Sequence, residues 1–410
     1  MARELLRLAR RLRRHDLTHI DLLANIRFPG PRAHGIQVAA MAEALSAAGL
    51  NVDVTVPRRF PGGETDPWTY YGVSRCFGVQ RLSSLDLIDL VPARLQRLPF
   101  LLQSATFGWR ALARIAVDRH TGILVRDHYT LAVLLWGLRA RDQQRVAAEV
   151  HSLPEAGPAR RRAIANLARL PAVIVISEAL RDDLVAGGVD PAAILLARDG
   201  VHLSRFQDLP PAAAARAHLN LPELPTAAYA GQLYAWKGVE TLVRAMGGLP
   251  GGQLIVVGGE KEPLQRLVAL AREAAPGRVH FTGLVPHAAV PFHLAAGDVI
   301  VLPNSARSEI SSRHTSPLKL FEAMSTGRPI VASDLPSLRE VLRHERNAIL
   351  VAPDDPGALA AGLSRVFSDE PLRRRLSAQA RADVEPYDWR ARGTAVARFL
   401  RERLTVGAGP

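Results

Sequence analysis

Apolar residues in the first half of the chain gather in short runs: Ile20–Ala24, Val52–Val56, Ile123–Val125, Val146–Val150 and Val173–Ile176. The second half repeats the rhythm at Ala227–Ala230, Leu254–Val257, Val279–Thr282, Val299–Leu302, Ile330–Ala332 and Ile349–Val351. Runs this short, bounded by Gly or Pro, read as strands buried on both faces. Patterns of helical period stand between them, for example Gly35–Ala48 and Glu178–Ala186. Such alternation predicts an α/β chain whose parallel sheets are covered by helices on both sides. The segment Leu203–Pro225 is rich in Pro and Ala, lacks strand character and lies near mid-chain, which marks a domain boundary. A chain of 410 residues is too long for one core and fits two domains. Two doubly wound domains predict a ligand in the crevice between them, at the carboxyl ends of the strands.

Composition adds little to the fold and more to the setting. A single cysteine, Cys76, excludes an intramolecular disulfide and a cysteine-rich zinc site, so a reducing, cytoplasmic compartment is expected. No secretory-signal pattern opens the chain, and its longest apolar run, Leu131–Leu138, is about half a membrane span. The protein is expected to be soluble or to sit on a membrane without crossing it. The net charge of +13 draws partly on residues 2–14, where Leu5, Leu8 and Leu12 share a helical face among arginines. That segment reads either as a cationic helix lying on the inner, anionic face of a membrane or as a solvated terminal helix. Nucleic acid is not an expected partner, because aromatics are 5% and no basic stripe interleaves with stacking residues.

Only three of the 52 basic residues are lysines, and two of these, Lys237 and Lys319, open predicted helices. A strand-to-helix turn already presents free N–H groups and a positive helix end, so an added ammonium makes an anion site. In Tyr229–Met246 a strand runs into Gly231, then Lys237-Gly238, then an amphipathic helix. The ending of a P-loop is absent. In Ser316–Asp334, Pro317 suits a first helical turn with Ser316 as its cap, and Lys319 and Glu322 share one face. Leu318, Leu320, Phe321 and Met324 make that helix nearly apolar around its two charges, which therefore need partners. A ligand carrying phosphate and hydroxyls supplies them, and two such turns in one half suggest a diphosphate.

These segments, with VIVISEALRDDL, Ala197–Phe206, Val279–Val285 and Asp298–Ser305, resemble the retaining, nucleotide-sugar-dependent glycosyltransferases of the GT-B fold, in the group often numbered family 4. The resemblance implies two Rossmann-like domains facing across a cleft. It implies an acceptor-side domain over residues 1–205, a donor-binding domain over 206–385, and a tail over 386–410 that crosses back to the first. By the same resemblance Lys237 contacts the donor diphosphate, Glu322 holds the ribose hydroxyls, and Ser316-Pro317-Leu318-Lys319 lays N–H groups on the distal phosphate. Gly283, Leu284 and Val285 match the loop where the base sits. His151, ending the Glu149-Val150-His151 strand, matches a histidine on the transferred sugar, and Gly35 matches a flexible loop beneath the phosphates. Two positions depart from the pattern. His314 stands where the family has its first motif glutamate, with Glu309 nearby, and Gln232 replaces an arginine of the diphosphate clamp.

The resemblance therefore implies a transferase with a nucleotide sugar as co-substrate and no cofactor. No metal is expected either, since no Asp-x-Asp cluster follows a strand. The acceptor is expected to be a carbohydrate or a lipid-linked group. Asp127, at another strand end, and Glu149 are acceptor-side candidates. Leu90–Ala116 mixes apolar residues with arginines and fits an acceptor cleft, a bilayer contact or simple core helices. A nucleotide-sugar epimerase and a non-catalytic nucleotide-sugar-binding protein are the alternative readings.

Overall fold

The computed structural model describes residues 17–58, 65–118, 120–309, 311–312 and 318–406. Residues 2–14, His314, Ser316 and Pro317 lie outside the described residues. Contacts divide the chain into two units: Met1–Ala197 with Trp389–Pro410, and Arg198–Asp388.

The first unit is built on a seven-stranded parallel sheet. Its strands are β1 (His19–Leu23), β2 (Asn51–Arg58), β3 (Gly78–Ser83), β4 (Gly122–Val125), β5 (Val146–Val150), β6 (Ala172–Val175) and β7 (Ile194–Leu196), in the order β3-β2-β1-β4-β5-β6-β7. The second unit carries β8 (Thr226–Ala230), β9 (Gln253–Val257), β10 (Val279–Gly283), β11 (Val299–Leu302), β12 (Ile330–Ser333) and β13 (Ile349–Val351), ordered β10-β9-β8-β11-β12-β13 and also parallel. Strands β4, β5 and β6 are buried along their whole length; β4 and β6 are apolar runs, as such burial favours, and β5 is apolar except for Glu149. The apolar runs expected from the sequence all fall within one residue of a strand. The two strands without such a run, β3 and β7, are the edges of the first sheet, and their side chains are at best half-buried.

Seven helices frame the functional residues of the two units: α1 (Ala33–Ala47), α2 (Arg97–Val117), α3 (His128–Gly137), α4 (Glu178–Ala186), α5 (Val239–Ala245), α6 (Leu318–Ser325) and α7 (Trp389–Arg403). Asp127 caps α3 by accepting from the Thr130 N–H at 2.8 Å, and Ser177 caps α4 by accepting from Leu180 N–H. Helix α7 packs along α1 within the first unit: a Cβ on Gly393 would come 2.5 Å from the Ala44 carbonyl oxygen. Among the described residues no helix is long and apolar enough to cross a membrane.

Candidate functional site

In the second unit the two lysines come together. Strand β8 ends at Ala230, the chain turns through Gly231, and a single 3-10 turn, Ala235–Lys237, precedes α5. Gly238 links turn and helix at φ +71°, and a Cβ there would lie 1.7 Å from the Pro303 carbonyl oxygen beyond β11. Only glycine fits both demands. The Lys237 ammonium sits over the Trp236 ring, 3.8 Å from its centroid, and burial lowers its pKa to about 8.

Lys319, in the first turn of α6, is 9% exposed, and its Nζ has no hydrogen-bond partner among the described residues. It lies 4.9 Å from the centroid of the Tyr229 ring. Burial, reinforced by the Lys237 charge, holds it well below the usual lysine range. An anion between the amines would reverse both penalties, since opposite charge favours the ammonium form. Asn304, next to Pro303, completes this region: it is fully buried, yet neither Oδ1 nor Nδ2 is hydrogen-bonded among the described residues. Sequence reasoning did not single it out, because Asn after a strand and a Pro reads as an ordinary turn residue.

One turn along α6, Glu322 accepts a hydrogen bond at 3.0 Å from His287 Nε2. Arg205 Nη1 lies 3.1 Å from the other ring nitrogen, Nδ1. A guanidinium can only donate, so Nδ1 is the acceptor and the imidazole proton sits on Nε2, facing the carboxylate. The tautomer is thus fixed, and with it the orientation of Glu322. His287 follows the loop Gly283, Leu284, Val285; Gly283 is left-handed at φ +68°, Leu284 is exposed and Val285 packs on the core. The Gln232 carbonyl oxygen accepts from the Tyr229 hydroxyl at 2.8 Å, which ties the turn to the ring beneath Lys319. Glu309 is exposed.

The first unit has its own cavity, of about 350 Å³, at the carboxyl ends of β4 and β5. Asn25, His34, Arg126, Asp127, Glu149 and His151 are among the residues that line it. Glu149 Oε1 accepts from Arg392 Nη2 of α7 at 2.7 Å, and Oε2 lies 3.4 Å from Arg126 Nε. Against the opposing effect of burial, these two guanidiniums hold Glu149 well below the usual carboxylate range. His151 Nε2 sits 3.0 Å from Glu149 Oε1 and accepts from Arg126. Burial and the Arg126 charge lower His151 to about 3 and His34 to about 4, so both rings are neutral near pH 7. With Nε2 accepting from Arg126, Nδ1–H remains as the ring's donor.

Three expectations change in position. Glu149 is occupied by Arg126 and Arg392, and anchors both guanidiniums. Asp127 is first of all the cap of α3. Gly35, expected in a flexible loop, lies in the first turn of α1 instead, where a Cβ would come 2.1 Å from the Tyr71 hydroxyl oxygen. Its glycine serves that close approach.

Residues 224–369 match the family model described as Glycosyl transferases group 1. Among curated relatives, a D-inositol 3-phosphate glycosyltransferase of Streptomyces griseus is 30% identical over 328 residues, 72% of this chain and 64% of its own length. The chain spans about half the length of the curated relatives it matches, 40% and 54% for the first two. Among solved structures, a sucrose-phosphate synthase from Thermosynechococcus elongatus superposes with a TM-score of 0.76 at 26% identity, covering 94% of this chain and 98% of that one. The Anabaena HepE protein, solved in complex with UDP-glucose, shares the fold at a TM-score of 0.72 and 18% identity, with 94% and 99% covered.

Proposed function

We infer that this chain, which belongs to the group 1 glycosyltransferases of the GT-B fold, moves a glycosyl group from a nucleoside-diphosphate sugar to a hydroxyl of a carbohydrate or lipid-linked acceptor. The observation that carries the reading is the buried, unpaired Lys319 amine beside Lys237. Breaking the bond between the anomeric carbon and the distal phosphate oxygen leaves the electron pair, and growing negative charge, on that oxygen. Lys237 and Lys319 meet that charge where it develops, which is the kind of stabilisation that lowers barriers most. Removal of a hydrogen bond to a charged group costs roughly 1.5–3 kcal/mol. Glu322, oriented by His287, takes the ribose hydroxyls, and Gly283–Val285 takes the base.

In this mechanism the acceptor oxygen attacks the anomeric carbon from the face the phosphate leaves, so configuration is retained. The acceptor proton passes to the departing phosphate oxygen, and no metal takes part. His151, neutral and with Nδ1–H available, orients the sugar.

The test is nucleoside diphosphate release from a panel of UDP-, GDP- and dTDP-sugars, with and without EDTA. UDP-glucose, the ligand of the HepE structure, is the first donor to try. Acceptor-dependent release indifferent to EDTA is expected. Donor binding without release would favour a non-catalytic binder, and EDTA-sensitive turnover would contradict the metal-free route.

A further inference from the structure

We propose that the first unit docks on an anionic phospholipid surface through the outward face of α2 and the neighbouring end of α3. Most of the large hydrophobic side chains left exposed among the described residues fall between Leu85 and Trp136. Two belong to the second unit, Tyr234 and Leu284. Along α2, Leu98, Leu102, Trp109, Ala113 and Ala116 are all exposed and recur at helical spacing, so they form one stripe. Phe107, Ala111 and Ile115 on the opposite side are buried in the unit. Leu98 is 76% exposed and Trp136 of α3 is 74% exposed. Trp109 and Trp136 meet edge to face, their centroids 5.1 Å apart, which joins the two helices into one apolar surface.

Charge identifies the occupant. Residues 90–117 and 128–141 contain no aspartate or glutamate, yet Arg94, Arg97, Arg110, Arg139 and Arg141 stand exposed around the stripe. A leucine field with paired tryptophans, rimmed by guanidiniums, is complementary to lipid tails beneath anionic headgroups. A second copy of the chain on the same face would set arginine against arginine. The opposite side of α2 reaches the cavity of the first unit. Phe100 of α2 lines that cavity and packs at 5.4 Å against Tyr129, another of its lining residues. Docking itself does not depend on the transfer reaction.

The experiment is sedimentation of the full chain with phosphatidylcholine vesicles, with and without phosphatidylglycerol. Binding to the anionic vesicles that weakens as salt rises is expected. Leu102→Glu combined with Trp109→Glu should abolish it, and Arg94→Gln with Arg97→Gln and Arg110→Gln should weaken it on the order of 100-fold. Tryptophan quenching of the unsubstituted chain by brominated lipid is expected too, and decides the matter if the glutamate variant does not fold. The proposal is overturned if the unsubstituted chain stays in the supernatant. It is equally overturned if both folded variants pellet like the unsubstituted chain, which would move the contact to another segment such as residues 2–14. A dimer that Leu102→Glu with Trp109→Glu dissolves, without vesicle binding, would assign the face to a second copy.

Discussion

Replacing Lys319 by methionine is expected to stabilise the ligand-free protein while weakening its hold on a nucleoside diphosphate. Methionine keeps the length of the side chain, so it fills the space beside Tyr229 without an amine. The amine it removes is buried and unpaired, and an unsatisfied buried polar group costs about 1–3 kcal/mol, more when charged. For a domain of this size each kcal/mol moves the melting temperature by about 2–4 °C, so a rise of several degrees is expected without ligand. With UDP the sign reverses. Losing a charge-assisted bond to phosphate, about 1.5–3 kcal/mol, raises Kd roughly 10- to 150-fold. Thermal unfolding with and without UDP, together with calorimetric titration, reads both effects on one variant. A lysine present only for packing would show the reverse: a lower melting temperature and an unchanged Kd for UDP. That result would refute the assignment of Lys319 to the ligand.

Asn304→Leu should be neutral or stabilising, because neither amide atom has a partner, while UDP affinity falls roughly 2- to 10-fold; calorimetry separates the two. Lys237 titrates near 8 in the fold against an ordinary 10.5, so between those values the unfolded chain binds more protons and ligand-free stability rises with pH. Denaturant unfolding across that window should show the rise, and saturating UDP should flatten it. Gly238→Ala sets a Cβ 1.7 Å from the Pro303 oxygen on a left-handed backbone, and the backbone strain alone costs about 1–3 kcal/mol in unfolding experiments. Arg392→Met leaves the Glu149 carboxylate short of a partner, a loss of about 3–5 kcal/mol in denaturant unfolding.

The interior strands were legible because strands buried on both faces are mostly apolar. Edge strands β3 and β7 escaped notice because one neighbour and partial exposure place weaker demands on sequence. Lys237 and Lys319 stood out as lysines in an arginine-rich chain, and their meeting in space follows from β8 and β11 being neighbours in the sheet. The Arg205–His287–Glu322 relay spans three separate segments, and no local pattern encodes it. The packing at Gly35 was hidden for a similar reason: what forbids a side chain there is the Tyr71 hydroxyl, from a distant part of the chain.

The first unit is discontinuous in sequence, and that sets an order on its assembly. The second unit is one unbroken stretch that precedes α7, so its last strand and helices are synthesised before α7. Until then α1 lacks the helix that Gly393 presses against it, and Glu149 lacks the guanidinium of Arg392. The amino-terminal sheet is therefore made first and finished last, and a released chain truncated before Trp389 has every residue of the second unit but an unfinished first one.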